Sequence, residues 1–365
     1  MDPPCRPDQR PSVADLPLTE LASGVDALYL SGRPEVPGEL LDRLEDGRQL
    51  AEGTTVPIPF DLGGDKFDLA PHGWGKYRYC LDHPDGRVGF TTSKQLPAVR
   101  VQLRSAFLHT AGPAGAVERF HALLLAECGE LSFSVSRIDL YADFEGWDLS
   151  LEDRPRFVCR ADSVRTYEAE GRLTGFDFGK RDTGTISARI YNKTVHVART
   201  GVDWWFDVWD KDRQSSSTIH RVEFELNRKG LAQFGLLGPA ETLASAGDLW
   251  RYGTTEWLTH RSPTADGNRA RWPTSAEWCC VQRATLAQRR VGADRITSQL
   301  RCGSLRKLTP GLAGYLVSFA VLSGTSGIDD TVSALGHHLR QDELARGLAF
   351  SERIRRRRLE GGQHG

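Results

Sequence analysis

The chain has 365 residues, 39% of them hydrophobic and 26% charged, which is the composition of a folded globular protein and not of a disordered chain. Lys plus Arg number 47 against 48 Asp plus Glu, and a formal net charge of -1 argues mildly against a partner held mainly by counterion release from phosphates. No run approaches the ~20 apolar residues of a membrane helix, the polar amino terminus lacks a secretory core, and seven cysteines without a Cys-x-x-Cys pair indicate a reduced, cytoplasmic protein.

Residues 1–24 are rich in Pro and Asp and read as a flexible amino terminus, and residues 1–60 hold eleven acids against five bases. Val25 to Ser31 reads as a strand and Glu39 to Leu50 as a short amphipathic helix. The run from Tyr77, the turn at His83-Pro-Asp-Gly and the run after it read as a hairpin, Val99 to Leu103 as a strand, and Ala114 to Cys128 as a helix entered at Gly-Pro. Phe133 to Phe144, Thr174 to Phe178, Ile186 to Thr194 and His220 to Leu226 alternate as strands. Helical patterns then run from about Gly230 to Leu359, with a loop at 261–274. Strands with a few helices followed by helices predict an α+β fold. It has a mostly antiparallel sheet core with flanking helices over 25–230 and a helical carboxy-terminal region over 231–365.

Three of these strands carry polar residues in phase. Arg137, Asp139, Tyr141 and Asp143 share one face of the first, because strand side chains alternate. Two carboxylates on one strand face repel each other, and a hard divalent cation would relieve that repulsion. A solvated face with an Arg–Asp ion pair is the plainer reading. Arg189, Tyr191 and Lys193 share a face of the second strand, and a tyrosine between two cations suits attack on a phosphodiester. A cross-strand aromatic with surface cations is the alternative there. On the third, Glu223 and Glu225 share a face and could complete a metal site or carry a proton. The turn between 178 and 184 adds Lys180 and Arg181, so residues 171–200 hold six bases against two acids although the chain as a whole is neutral.

Arg-Ile-Asp-Leu-x-x-Asp-Phe, then Phe-Gly-x-Arg-Asp with Arg-Ile-Tyr-Asn-Lys, then Arg-Val-Glu-x-Glu-Leu, occur in this order. The set resembles the Rep_trans family of rolling-circle replication initiators of small plasmids and phages, whose domain is shared by relaxases of some integrative conjugative elements. The resemblance covers roughly residues 95 to 230. It implies a site-specific DNA nicking and closing enzyme that stays joined to the cut strand through a 5'-phosphotyrosine. By motif, Tyr191 would be the nucleophile, and Asp139, Asp143 and Glu223 would be ligands of Mg2+ or Mn2+. Arg181, Arg189 and Lys193 would grip phosphates, with Glu225 as a proton carrier. The chain departs from many members in reading Asp177-Phe-Gly before the turn, and its Trp-rich tail after Lys229 does not align with theirs.

The ten histidines include no His-hydrophobe-His triplet, and no Gly-x-x-x-x-Gly-Lys loop is present, so a separate host helicase is expected as a partner, beside double-stranded origin DNA, the single-stranded nick site and a second copy in a homodimer. Residues 281–308 hold seven bases against one acid, and Arg289, Arg290, Arg306 and Lys307 are candidate contacts to duplex DNA beside the nick. The competing readings are a conjugative-element relaxase and a non-catalytic DNA-binding replication regulator. The regulator would keep the basic tail but would not need Tyr191 or the acidic strands.

Overall fold

The computed structural model describes residues 17–181, 184–213, 215–288 and 305–346, with 349 and 351. The described residues fall into two units, one spanning 17–288 and the other 305–346.

The larger unit begins with strand β1 (Thr19–Gly32) and helix α1 (Gly38–Thr54). Two hairpins follow, β2 (Ile58–Leu62) with β3 (Asp65–Leu69), and β4 (Tyr79–His83) with β5 (Gly86–Phe90). Then come β6 (Val99–Leu103), α2 (Ser105–Cys128) and the long β7 (Phe133–Glu145). Short β8 (Phe157–Cys159) precedes β9 (Val164–Ala169), β10 (Arg172–Phe178) and β11 (Ile186–Asn192). Helices α3 (Lys193–Thr200) and α4 (Trp205–Val208) lead to β12 (Ile219–Asn227). Short helices α5 (Arg228–Ala232), α6 (Pro239–Ala244) and α7 (Ala246–Tyr252), strand β13 (Leu258–His260) and α8 (Ala276–Gln282) complete the unit.

Eleven strands form one sheet in the order β2-β3-β4-β5-β6-β1-β7-β12-β11-β10-β9, and every ladder in it is antiparallel. Alternation divides its two faces. One face carries Leu28, Leu30, Val101, Ile138, Leu140, Val222 and Phe224, all fully buried in one core with Leu44 of α1, Leu124 of α2, and Trp250 and Trp278 of α7 and α8. The other face carries the charged residues of β7, β11 and β12 and is covered in part by α3 and α4.

The α+β architecture with an antiparallel sheet is as expected, with differences in detail. β1 starts at Thr19 and pairs with β7 along its whole length, so residues 19–24, expected to be flexible, belong to the sheet. The β2–β3 hairpin was not foreseen, although its Gly63-Gly64 turn between alternating runs is a hairpin signal. Helix α2 begins at Ser105 and bends at Gly112 (φ 71°), with Pro113 opening its second segment. Residues 231–288 are not a separate helical region, because Leu231, Phe234, Trp250 and Trp278 belong to the core beneath the sheet. His260 and Ser275 of this stretch form a buried carboxylate–imidazole–hydroxyl chain with Asp153, His260 Nδ1 lying 2.8 Å from Ser275 Oγ and Nε2 3.1 Å from Asp153 Oδ1. Ser275 Oγ also accepts from the Trp278 amide to cap α8, so this trio ties α8 and β13 to the turn at Leu151–Arg156 and presents no nucleophile.

The smaller unit is a helical hairpin, α9 (Leu305–Ser323) and α10 (Ile328–Arg346), turned at Gly324. No helix among the described residues is long and apolar enough to cross a membrane.

Candidate active site

Strands β7, β12 and β11 are neighbours, and their registers align the polar residues into rows. Asp139 faces Glu225, which faces Ser187; Tyr141 faces Glu223, which faces Arg189; Asp143 faces Arg221, which faces Tyr191. The three polar phases read from the sequence therefore meet on one face. Gly175 of β10 sits opposite Tyr191, where a Cβ would come within 2.7 Å of the Tyr191 Cβ, so the glycine makes room for the tyrosine.

The Tyr191 hydroxyl donates to Glu223 Oε2 at 3.2 Å. Arg189 pairs with the other oxygen of Glu223 and lies 5.6 Å from the Tyr191 ring centre. Burial, and then the Glu223 charge, hold the phenol well above its ordinary pKa, against the pull of Arg221 and Arg189. Lys193 leaves the strand register because Asn192 caps α3 with its side chain and Lys193 becomes the first helical residue. Its Nζ packs 4.7 Å from the Trp205 ring and 5.7 Å from that of Tyr191, and burial followed by Arg221 lowers its pKa to about 8.

Arg137 binds both oxygens of Asp139, at 2.7 and 2.6 Å, and reaches Glu225 Oε2 at 2.8 Å. Arg181, exposed on the turn, approaches the same oxygen of Glu225 to 3.6 Å. Burial pushes the Asp139 carboxyl up to about 7; Arg137 opposes this, while Glu223 and Glu225 reinforce it. Lys180 is exposed on the same turn.

Asp143 has a different setting from the one its motif suggested. Arg221 grips both its oxygens, at 2.6 and 2.7 Å, and Trp209 Nε1 donates to Oδ2 at 2.8 Å, with Asp143 and Arg221 fully buried. Both oxygens are thus already committed to protein donors. The third nitrogen of Arg221 bonds Asp26 at 2.8 Å, and its plane lies 4.0 Å from the ring centres of Tyr141 and Trp205. Against a burial that would raise it, Arg221 and then Lys193 hold Asp26 down to about 2. Ser105 Oγ bonds Asp26 at 2.8 Å, and His109 Nε2 lies 2.9 Å from the Tyr141 hydroxyl, so the first segment of α2 braces this network.

The sequence reading missed Asp26, Arg221, Trp205 of α4 and Trp209 just after it. Arg221 was in phase with Glu223 and Glu225 and could have been found. Asp26 could not, because it is the extra residue of a β-bulge between Val25 and Ala27 and breaks the alternation. Arg289 and Arg290 lie outside the described residues; Arg306 and Lys307 fall on α9, within the smaller unit, and their side chains are outside those described.

A divalent cation fits this chemistry through a limited set of donors. Asp139, Glu223 and Glu225 crowd one face, and burial, reinforced by the charges of Glu223 and Glu225, raises the Asp139 carboxyl, a cost that a cation would relieve. Among the described residues no group of three or more His, Cys, Asp and Glu is arranged to hold a metal. Mg2+ commonly takes one or two carboxylates and completes its shell with substrate phosphate oxygens and water. Asp139 with Glu225 could supply such a pair once a cation displaces Arg137, which holds both oxygens of Asp139 and one of Glu225; Asp143 is engaged more completely, by Arg221 and by Trp209.

No family model matches the chain, and no curated protein matches it. Among solved structures it is similar to a rolling circle replication initiator protein from Geobacillus stearothermophilus, with 16% identity and a TM-score of 0.44, over 76% of this chain and 99% of that one. The functional reading therefore stands on the site and its motifs.

Proposed function

We propose that the chain starts rolling-circle replication by nicking one DNA strand with Tyr191 and later resealing it. The observation that supports this reading is the Tyr191–Glu223 hydrogen bond, set among Arg189, Lys193 and Arg221 on the adjacent strands β11 and β12 and the first turn of α3. A tyrosine with a carboxylate acceptor and neighbouring guanidiniums has what attack on a phosphodiester requires. Tyr191 Oη forms a bond to phosphorus, the bond from phosphorus to the 3'-oxygen breaks, and the phenolic proton passes to Glu223. The 3'-oxygen departs and is protonated from solvent. Because the phosphotyrosine replaces one phosphodiester by another, a 3'-hydroxyl can reverse the step.

Arg189 and Lys193 lower the cost of phenolate as the proton leaves, and Arg181 and Lys180 offer exposed charge for flanking phosphates. Asp143 acts through Arg221, holding the guanidinium beneath the tyrosine. A bound Mg2+ or Mn2+, held by Asp139 and Glu225, would supply Lewis-acid stabilisation of the phosphate charge. This exchanges two roles expected from the motifs: Glu223 carries the proton and Glu225 joins the cation-binding acids. Opening of the duplex is left to a helicase, and Arg289, Arg290, Arg306 and Lys307 remain the proposed duplex contacts.

The test is incubation of the full chain with supercoiled DNA that includes the sequence around its own gene, with and without Mg2+ or Mn2+. A metal-dependent covalent adduct on Tyr191, lost in Tyr191→Phe together with nicking, is the expected result. Full nicking by Tyr191→Phe, or an adduct on another residue, overturns the proposal.

A further inference from the structure

The polar face of the sheet does not end at the Tyr191 site. Arg137, which holds Asp139 and Glu225, also lies 5.1 Å from the ring centre of Tyr29 on β1. Arg100 of β6 lies 5.3 Å from Tyr29 and 4.1 Å from Trp74, and Arg87 of β5 lies 5.5 Å from Trp74. Three guanidiniums thus lie against two aromatic rings, themselves 6.4 Å apart, along a row that crosses β7, β1, β6 and β5. From β11 to β1 is three interstrand spacings, or roughly 14 Å at ~4.8 Å each.

The row is specifically constructed. Trp74 and Tyr77 exchange backbone hydrogen bonds at 2.9 and 3.1 Å across a tight turn, with Gly75 at φ +61°. Beneath them Gly89 leaves the sheet bare, where a Cβ would lie 3.0 Å from the Tyr77 Cβ and 3.2 Å from Trp74 Cε3. Arg87 is neutralised by Asp82, but Arg100 has no carboxylate within ion-pair distance among the described residues. Tyr29, Trp74 and Arg100 all remain partly exposed. An apolar cap over Gly89 would account for Trp74 and Tyr77. It would not account for three arginines stacked on Tyr29 and Trp74, one of them without a counter-charge.

We propose that Tyr29, Trp74 and Arg100 form a stacking platform for single-stranded DNA, continuous through Arg137 with the nicking site. Every base has a face that can stack on an aromatic ring or a guanidinium plane, and an unpaired arginine matches a phosphate. The identity of the strand rests on the nicking reading of Tyr191; the binding itself does not.

The full chain is titrated without divalent metal against labelled oligothymidylate of sixteen nucleotides and a duplex of the same length, comparing wild type with Trp74→Ala, Trp74→Phe and Arg100→Ala. The alanine variants should weaken single-strand binding roughly tenfold, a typical loss for one stacked base. Trp74→Phe should keep most of the affinity, and Arg100→Ala should flatten the salt dependence by about 0.7 in the log–log slope. Unchanged single-strand binding in folded Trp74→Ala and Arg100→Ala overturns the platform, as does an equal loss on duplex. If a Tyr191 adduct forms while oligothymidylate binding is indifferent to both variants, the platform alone fails. If binding falls as stated but no adduct forms on any DNA, the platform stands and the nicking reading fails.

Discussion

The Tyr191 hydroxyl and Glu223 Oε2 stand 3.2 Å apart across the β11–β12 ladder, and the second oxygen of that carboxylate holds Arg189. One acid thereby orients both the phenol proposed as nucleophile and the cation beside it. Since burial holds the phenol well above its usual pKa, attack needs an acceptor for its proton, and Glu223 is in hydrogen-bond contact with it. Glu223→Gln keeps the shape and removes the basicity, so the nicking rate should fall by about 10²–10⁴ with little change in DNA affinity. Single-turnover cleavage measures it, and a loss below tenfold would reassign the base.

Asp143 and Arg221 form a different kind of pair, fully buried and bidentate, with the guanidinium 4.0 Å from the ring centres of both Tyr141 and Trp205. Truncating one partner leaves the other charge stranded in the core. Asp143→Ala should therefore cost about 3–5 kcal/mol of stability, read by urea denaturation. The metal concentration that half-saturates any residual nicking should not move. A folded Asp143→Ala protein whose metal requirement had shifted would restore Asp143 to the cation site.

What the sequence made legible was the phase of the charges. Arg137, Asp139, Tyr141 and Asp143 alternate along β7, and strand pairing carries that phase to Glu223 and Tyr191. Sequence alone did not show which carboxylates were already satisfied, because Arg221, which claims Asp143, comes from a strand 78 residues away. Nor could alternation survive the bulge that turns Asp26 to the polar face, or the cap at Asn192 that takes Lys193 out of its strand. The burial of 231–288 was hidden for a related reason. Helical periodicity shows an apolar stripe but does not name the surface it meets, and here that surface is the back of the sheet.

Asp139 gives the metal-free protein a distinctive pH response. Its carboxyl is pushed up to about 7 from an ordinary 3.8, first by burial. Between those values the unfolded chain has released the proton that the folded chain still holds, so stability falls as pH rises from about 4 to about 7 and is flat beyond. Asp139→Asn should remove that slope and raise stability at pH 8 by on the order of 2 kcal/mol. Added Mg2+ or Mn2+ should raise the thermal midpoint more at pH 8 than at pH 5, because the cation competes with the proton. Midpoints in chelator across pH 4 to 8 check the sign, and a rising curve that persists in Asp139→Asn would contradict it.

Lys193 titrates the other way. Burial and Arg221 lower it to about 8 from 10.5, so between these values the folded chain has lost a proton that the unfolded chain retains. Stability contributed by this group therefore rises with pH across that window. Lys193→Met removes a buried charge whose contacts are the rings of Trp205 and Tyr191. It should stabilise the fold at pH 7 by on the order of 1–2 kcal/mol and erase the dependence between pH 8 and 10.5. The same change should slow nicking, because the cation beside the phenol is gone. Wild-type nicking should decline above about pH 8 as Lys193 discharges. A stabilised Lys193→Met protein with an undiminished rate would make Lys193 a packing residue and leave Arg189 as the cation that assists Tyr191.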